Sequence, residues 1–177
     1  MIISAQNFDS VDADPKKTSQ ITPKMIGEFV DYVILGHSEV RNFDKASRKY
    51  LGDTPEIINT KNKLAQDEGL ETIVCISDIA GELESFYTAN PDYSGIIAYE
   101  PISNVGTGVN LPAKDANKKA KEILKKFKNA KVIYGGSVKG ENARDYFIQP
   151  YLSGVLVGNG SSDPEFFSKI INAFPKE

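Results

Sequence analysis

Six short apolar runs, each followed by a polar stretch of helical character, set the main constraint on how this chain folds. The runs are Ile2–Ala5, Tyr32–Leu35, Thr72–Ile76, Gly95–Tyr99, Lys131–Tyr134 and Gly154–Val157. They are rich in Val and Ile and do not alternate apolar with polar, the pattern of strands covered on both faces. Strands of that kind belong to parallel sheets, and the stretches between them then serve as right-handed helical crossovers. Several crossovers carry their own boundary signals. In Thr54–Glu68, Thr54 is a side-chain cap, Pro55 takes the first helical position and Gly69 ends the helix. Asp163-Pro164-Glu165 opens the last helix in the same way, and Pro112–Lys128 reads as a helix with a solvated lysine-rich face.

Six units in 177 residues give about 30 residues per βα unit, the spacing of an eight-unit barrel of roughly 250 residues. Eight units need at least about 200 residues, so six fit and eight do not. The expectation is an α/β barrel-type sheet of six parallel βα units in a single domain spanning residues 1–177, two strands short of closure. No fixed-period repeat and no Ser/Gly linker divides the chain. With 21 Lys+Arg against 24 Asp+Glu, the net charge is −3, which argues against a nucleic-acid partner held by a broad basic face. One cysteine excludes an intrachain disulfide, and one histidine beside it leaves too few ligands for a zinc site. The N-terminus MIISAQNFDSVDAD has no basic segment followed by a long apolar run, so the expected compartment is the cytoplasm, with no membrane partner.

Polar residues and glycines gather at the C-terminal ends of the apolar runs, where parallel sheets and barrels build their sites. His37 follows VILG, and its place beside Ser38 and Glu39 favours a functional over a structural histidine. Glu100 directly follows GIIAY. It is either an edge charge in solvent or a general base whose pKa is raised by apolar surroundings. Pro101 at one end and Gly106-Thr107-Gly108 at the other make the stretch between them a turn or a hinged lid. Gly135-Gly136-Ser137 and Gly158-Asn159-Gly160 end adjacent strands. Each alone is a tight turn, but the pair together favours a cradle of backbone N–H groups for phosphate. No Walker-type P-loop accompanies them. Cys75 reads as a small buried hydrophobe.

The segments VILGHSEVR, AYEPISNVGTG, VIYGGSVKGENA and GVLVGNGSSDPEFF closely resemble, in order, the signature regions of the triosephosphate isomerases. IISAQN and TIVCIS resemble two further strand regions, and the likeness begins at that family's third strand. The resemblance implies an incomplete TIM-barrel-type fold, comprising the third to eighth βα units. It also implies interconversion of glyceraldehyde 3-phosphate and dihydroxyacetone phosphate, a step of glycolysis and gluconeogenesis, without cofactor or metal. Glu100 then matches the base that moves a proton between two carbons, and His37 the neutral imidazole that polarises the carbonyl. Glu39 matches an acidic residue beside that histidine, and Cys75 a cysteine packed near the site. Pro101, Ile102, Ser103, Asn104, Val105, Gly106 and Thr107 match the lid. Tyr134 and Ser137 match its latch, and the N–H groups of Gly106, Ser137, Asn159 and Gly160 match the phosphate cradle.

Departures from the family pattern accompany these matches. Ser103 stands where many members carry tryptophan, and Asn159 replaces a glycine, a change eased by asparagine's tolerance of positive φ. Gln20 and Val40 replace a glutamate and an arginine that pair between subunits in many members. The family's first-strand Asn-x-Lys motif has no counterpart here, since Asn59-Thr60-Lys61 falls in a helix, so catalysis is expected to be impaired. The alternatives are a non-catalytic, phosphate-ligand-binding or self-assembling remnant of the fold, or a fragment completed by another chain. A small phosphorylated triose is the expected ligand. A homo-oligomer is the expected assembly, because the first and last strands would otherwise leave apolar edges unpaired.

Overall fold

The computed structural model describes residues 2–9, 18, 20–44, 46–47, 49–101 and 110–175. In chain order the elements begin with β1 (Ser4–Ala5), α1 (Pro23–Ile26), β2 (Tyr32–Leu35), α2 (Ser38–Arg41), β3 (Phe43–Asp44) and β4 (Lys49–Tyr50). There follow α3 (Pro55–Asp67), β5 (Glu71–Ile76), α4 (Glu82–Ala89), β6 (Ile96–Tyr99) and α5 (Ala113–Lys126). The last are β7 (Lys131–Gly135), α6 (Gly140–Phe147), β8 (Gly154–Leu156), a 3₁₀ turn (Asn159–Ser162) and α7 (Pro164–Asn172).

All six apolar runs enter one sheet in the order β1-β2-β5-β6-β7-β8, and every pairing within it is parallel. Val33, Val74, Ile97 and Val132 are each fully buried, as the uninterrupted apolar character of their strands requires. Helices form where the sequence carries their caps. The Thr54 side chain accepts from Ile57 N to start α3, Gly69 adopts φ 75° just beyond its end, and the Asp163 side chain accepts from Glu165 N and Phe166 N at α7. Phe86 of α4 packs against Tyr93 and Phe127, with ring centroids 5.0 and 5.7 Å away, and fills the space between helices and sheet.

Register fixes what meets at the C-terminal rim. Ile76 pairs with Tyr99, Tyr99 with Tyr134, and Tyr134 with Val155. The residues one step further, Glu100 and Gly135, are therefore neighbours at the sheet's edge.

The sheet is of the barrel type and open. Among the described residues β1 pairs only with β2, and β8 only with β7. The β1 ladder covers two residues instead of the whole Ile2–Ala5 run, although Ile3 O still accepts from Asp31 N and Tyr32 N at 2.9 and 3.2 Å. Ile2 and Ile3 are 68% and 52% exposed. The short antiparallel pair β3–β4 was not written in the apolar pattern. It forms because Asn42 takes φ 45°, turning the chain back after α2, a conformation asparagine tolerates better than most residues. No helix among the described residues is long and apolar enough to cross a membrane.

Candidate functional site

The site begins at the end of β2. Gly36 has φ 71°, and a Cβ there would stand 2.7 Å from Ile58 Cδ1, so only glycine makes this exit from the strand. His37 then caps α2, its Nδ1 accepting from Glu39 N at 3.4 Å. A ring nitrogen that accepts carries no proton, so the neutral imidazole bears its proton on Nε2. That Nε2 lies 3.3 Å from Glu100 Oε1. Glu39 itself turns outward, its side chain 82% exposed and its Oε2 3.8 Å from His37 Nδ1.

Glu100 follows β6 and is 3% exposed. Its backbone N donates to Ile76 O at 2.9 Å. Burial raises its pKa above the ordinary 4.5, partly opposed by His37, the Cys75 thiol, the Ser38 N–H and Arg41. Glu100 Oε2 is buried with no hydrogen-bond partner among the described residues. A buried carboxylate oxygen left unpaired is costly and is a mark of functional sites. Cys75 is fully buried beneath it, and burial together with the Glu100 charge pushes the thiol well up, which keeps it protonated. The small-hydrophobe reading of Cys75 agrees with this position.

Arg41 is a structural centre of the site that the sequence did not reveal. It is buried, its Nε donates to Gly36 O and its Nη2 to Cys75 O, and its Nη1 lies 2.8 Å from Glu82 Oε1. One guanidinium therefore ties the ends of β2 and β5 below His37 and Glu100. Glu82 is satisfied in turn by Ser77 N, Asp78 N and the Tyr50 hydroxyl. Replacing Arg41 by Met leaves Glu82 buried without a cation, and the expected loss is about 3–5 kcal/mol of stability in urea unfolding. A loss under about 1 kcal/mol would show the pair to behave as a surface one.

The two glycine loops lie after β7 and β8. Ser137 follows β7 two residues beyond Gly135, and Asn159 and Gly160 open the 3₁₀ turn after β8. Gly160 is required where it stands, since a Cβ would collide with the Phe166 ring. Tyr134 is fully buried, and its hydroxyl accepts from Leu111 N at 2.9 Å. Pro101 is buried. Ile102, Ser103, Asn104, Val105, Gly106 and Thr107 lie outside the described residues.

Asn59-Thr60-Lys61 does fall in a helix, α3, and the role of Lys61 there is structural. Lys61 of α3 is buried, with its Nζ donating to Asp53 Oδ2 at 2.6 Å and to Asn7 Oδ1 at 3.2 Å. It thereby fastens the end of β1 to α3. No group of His, Cys, Asp or Glu among the described residues is arranged to hold a metal. The chemistry on offer is proton transfer, from a carboxylate of raised basicity with an imidazole N–H beside it.

The sequence model of the triosephosphate isomerase family matches residues 1–174. A triosephosphate isomerase of Trichodesmium erythraeum (strain IMS101) is 36% identical over 186 residues, covering 96% of this chain and 74% of that protein. One of Prochlorococcus marinus (strain MIT 9301) is 39% identical over 186 residues, with the same 96% and 74% coverage. One of Synechocystis sp. (strain ATCC 27184 / PCC 6803 / Kazusa) is 35% identical over 189 residues, covering 98% of this chain and 75% of that protein.

Proposed function

Because the chain belongs to the triosephosphate isomerase family, we propose that it interconverts glyceraldehyde 3-phosphate and dihydroxyacetone phosphate, with Glu100 as base and His37 as electrophile. The observation that carries this reading is the buried Glu100 carboxylate, one oxygen 3.3 Å from His37 Nε2 and the other unpartnered among the described residues. Glu100 takes the proton from the carbon next to the carbonyl, leaving an enediolate. His37 Nε2–H stabilises the oxygen on which negative charge develops. The same carboxyl then returns the proton to the neighbouring carbon, while His37 Nε2 gives its proton to one oxygen and takes the hydroxyl proton from the other, so atoms and charge balance over the cycle. General acid–base transfer by a positioned side chain contributes about 10²–10⁴-fold, and a preorganised donor at the developing oxyanion about 10²–10³-fold.

The substrate phosphate sits at the backbone N–H groups of Ser137, Asn159 and Gly160, the last two at the start of the 3₁₀ turn. Pro101–Thr107 takes the part of the lid on the strength of its sequence likeness, and Tyr134 that of its latch. Glu39 orients the imidazole through its backbone N–H. No cofactor or metal enters this chemistry, and the reaction belongs to glycolysis and gluconeogenesis in the cytoplasm. The test is isomerase activity of the purified protein on glyceraldehyde 3-phosphate beside Glu100→Gln. Equal rates in the two proteins would overturn the assignment.

The open sheet supports a second statement about assembly. Edge strands with unpaired backbone groups invite addition of another strand, and Ile2, Ile3 and Phe29 are exposed near β1 while Ile171 and Phe174 are exposed on and just after α7. We assign to these edges a homo-oligomeric contact between copies of the chain. Sedimentation at micromolar concentration is expected to show an oligomer, and Ile3→Lys is expected to shift it toward monomer. A wild-type monomer under those conditions would overturn the assignment.

A further inference from the structure

We propose that Tyr146 is a positioning residue for this site: with Tyr134 it grips Leu111 and holds the end of β7 in place against Glu100. The proposal rests on the assignment of Glu100 as base. Tyr146 of α6 and Tyr134 of β7 are both buried and stack nearly parallel, with centroids 4.6 Å apart and planes inclined by 6°. The stack brings the two hydroxyls to one residue. Tyr134 accepts from Leu111 N at 2.9 Å, while Tyr146 donates to Leu111 O at 2.6 Å. A phenol has one proton to give. Tyr146 donates it to that carbonyl and accepts from Asn110 Nδ2 at 2.8 Å.

Leu111 lies outside any helix or strand, just ahead of α5. A leucine or phenylalanine at position 146 could fill the same space, so packing alone does not call for the hydroxyl. Both polar groups of Leu111 are instead fixed by side chains from two elements. The connection to the base is direct. Tyr134 adjoins Gly135, and a Cβ on Gly135 would stand 2.6 Å from Glu100 Cγ. A displacement of the Tyr134 ring is therefore carried into the wall against which Glu100 rests. The clamp sets the position of that wall.

The test uses Tyr146→Phe, which keeps a stacking ring and removes the bonds to Leu111 O and Asn110. At a temperature where circular dichroism shows the variant fully folded, kcat is expected to fall roughly three- to tenfold, the scale of one lost hydrogen bond, with KM nearly unchanged. Exchange of the Leu111 amide hydrogen is expected to quicken at least about tenfold, since its partner Tyr134 loses its support. A structural role would alter stability without moving either quantity in the folded protein. Tyr134→Phe and the double variant complete a cycle, and the two losses are expected to be less than multiplicative because the rings act as one unit. Should Tyr146→Phe fail to fold, Asn110→Ala removes one bond of the clamp from outside the core and is expected to change both quantities in the same direction.

Unchanged kcat together with unchanged Leu111 exchange overturns the proposal. An inactive wild-type protein overturns the isomerase reading instead, and Leu111 exchange still decides whether the clamp exists.

Discussion

Glu100→Gln is expected to abolish measurable isomerase activity while making the protein more stable at neutral pH. Both effects follow from burial of the same carboxylate. The amide cannot accept a proton from carbon, so the contribution of the base, about 10²–10⁴-fold, is lost. Burial also raises the pKa of Glu100 in the folded protein above the ordinary 4.5. Between the unfolded and the folded values the folded state then holds more protons than the unfolded state, so stability falls as pH rises through that interval. Glutamine carries no such penalty. Thermal melts from pH 4 to pH 8, roughly the span that brackets a raised carboxylate pKa, are expected to show the wild-type decline and a flatter curve for the variant. For the wild type, kcat/KM should fall on the acid side through a pKa above the usual carboxylate range, because the ionised form is the base. A variant that is both inactive and less stable at neutral pH would mean that the carboxylate is held by favourable bonds and not merely buried.

The strands were legible because cover on both faces leaves a continuous apolar run. Tyr32–Leu35 matches its run end to end, and β5, β6, β7 and β8 match theirs within a residue. Helix starts at Thr54 and Asp163 were legible because capping is a local exchange between neighbours in sequence. The candidate base and electrophile could be picked out because strand ends are where such folds place chemistry, and register brings the rim residues together. What could not be read were the partners made by distance. Arg41 looks like a surface charge until Cys75 O, 34 residues away, accepts from it. Lys61 sits in a helix among other polar residues, and its partner Asn7 is 54 residues away. Tyr146 looks like one aromatic on an amphipathic helix, and nothing local indicates that the Leu111 carbonyl, 35 residues earlier, accepts from its hydroxyl. These side chains are buried polar groups satisfied at long range, and no periodicity encodes that.

Gly135 provides the second large effect, one that a glycine-turn reading undervalues. Tyr99 and Tyr134 are paired across β6 and β7, so Gly135 stands beside Glu100 at the rim. A Cβ at position 135 would lie 2.6 Å from Glu100 Cγ and 3.0 Å from Oε1, inside the contact limit of about 3.5–4.0 Å for carbon. The clash falls on the middle of a buried side chain, which cannot swing into solvent to relieve it. Gly135→Ala is therefore expected to push the carboxylate from its place beside His37 by something near 1 Å. A misplacement of that size costs about 10²-fold in rate. The loss should appear in kcat, with the acid limb of the pH profile little moved, because the displaced Glu100 stays buried and burial is the main cause of its raised pKa. Pairing the change with Glu100→Asp removes one methylene from the crowded side chain. The double variant should fall short of the product of the two single losses, the signature of two residues competing for one space. Independent, multiplicative losses would show instead that the glycine serves the backbone of the turn and not the base.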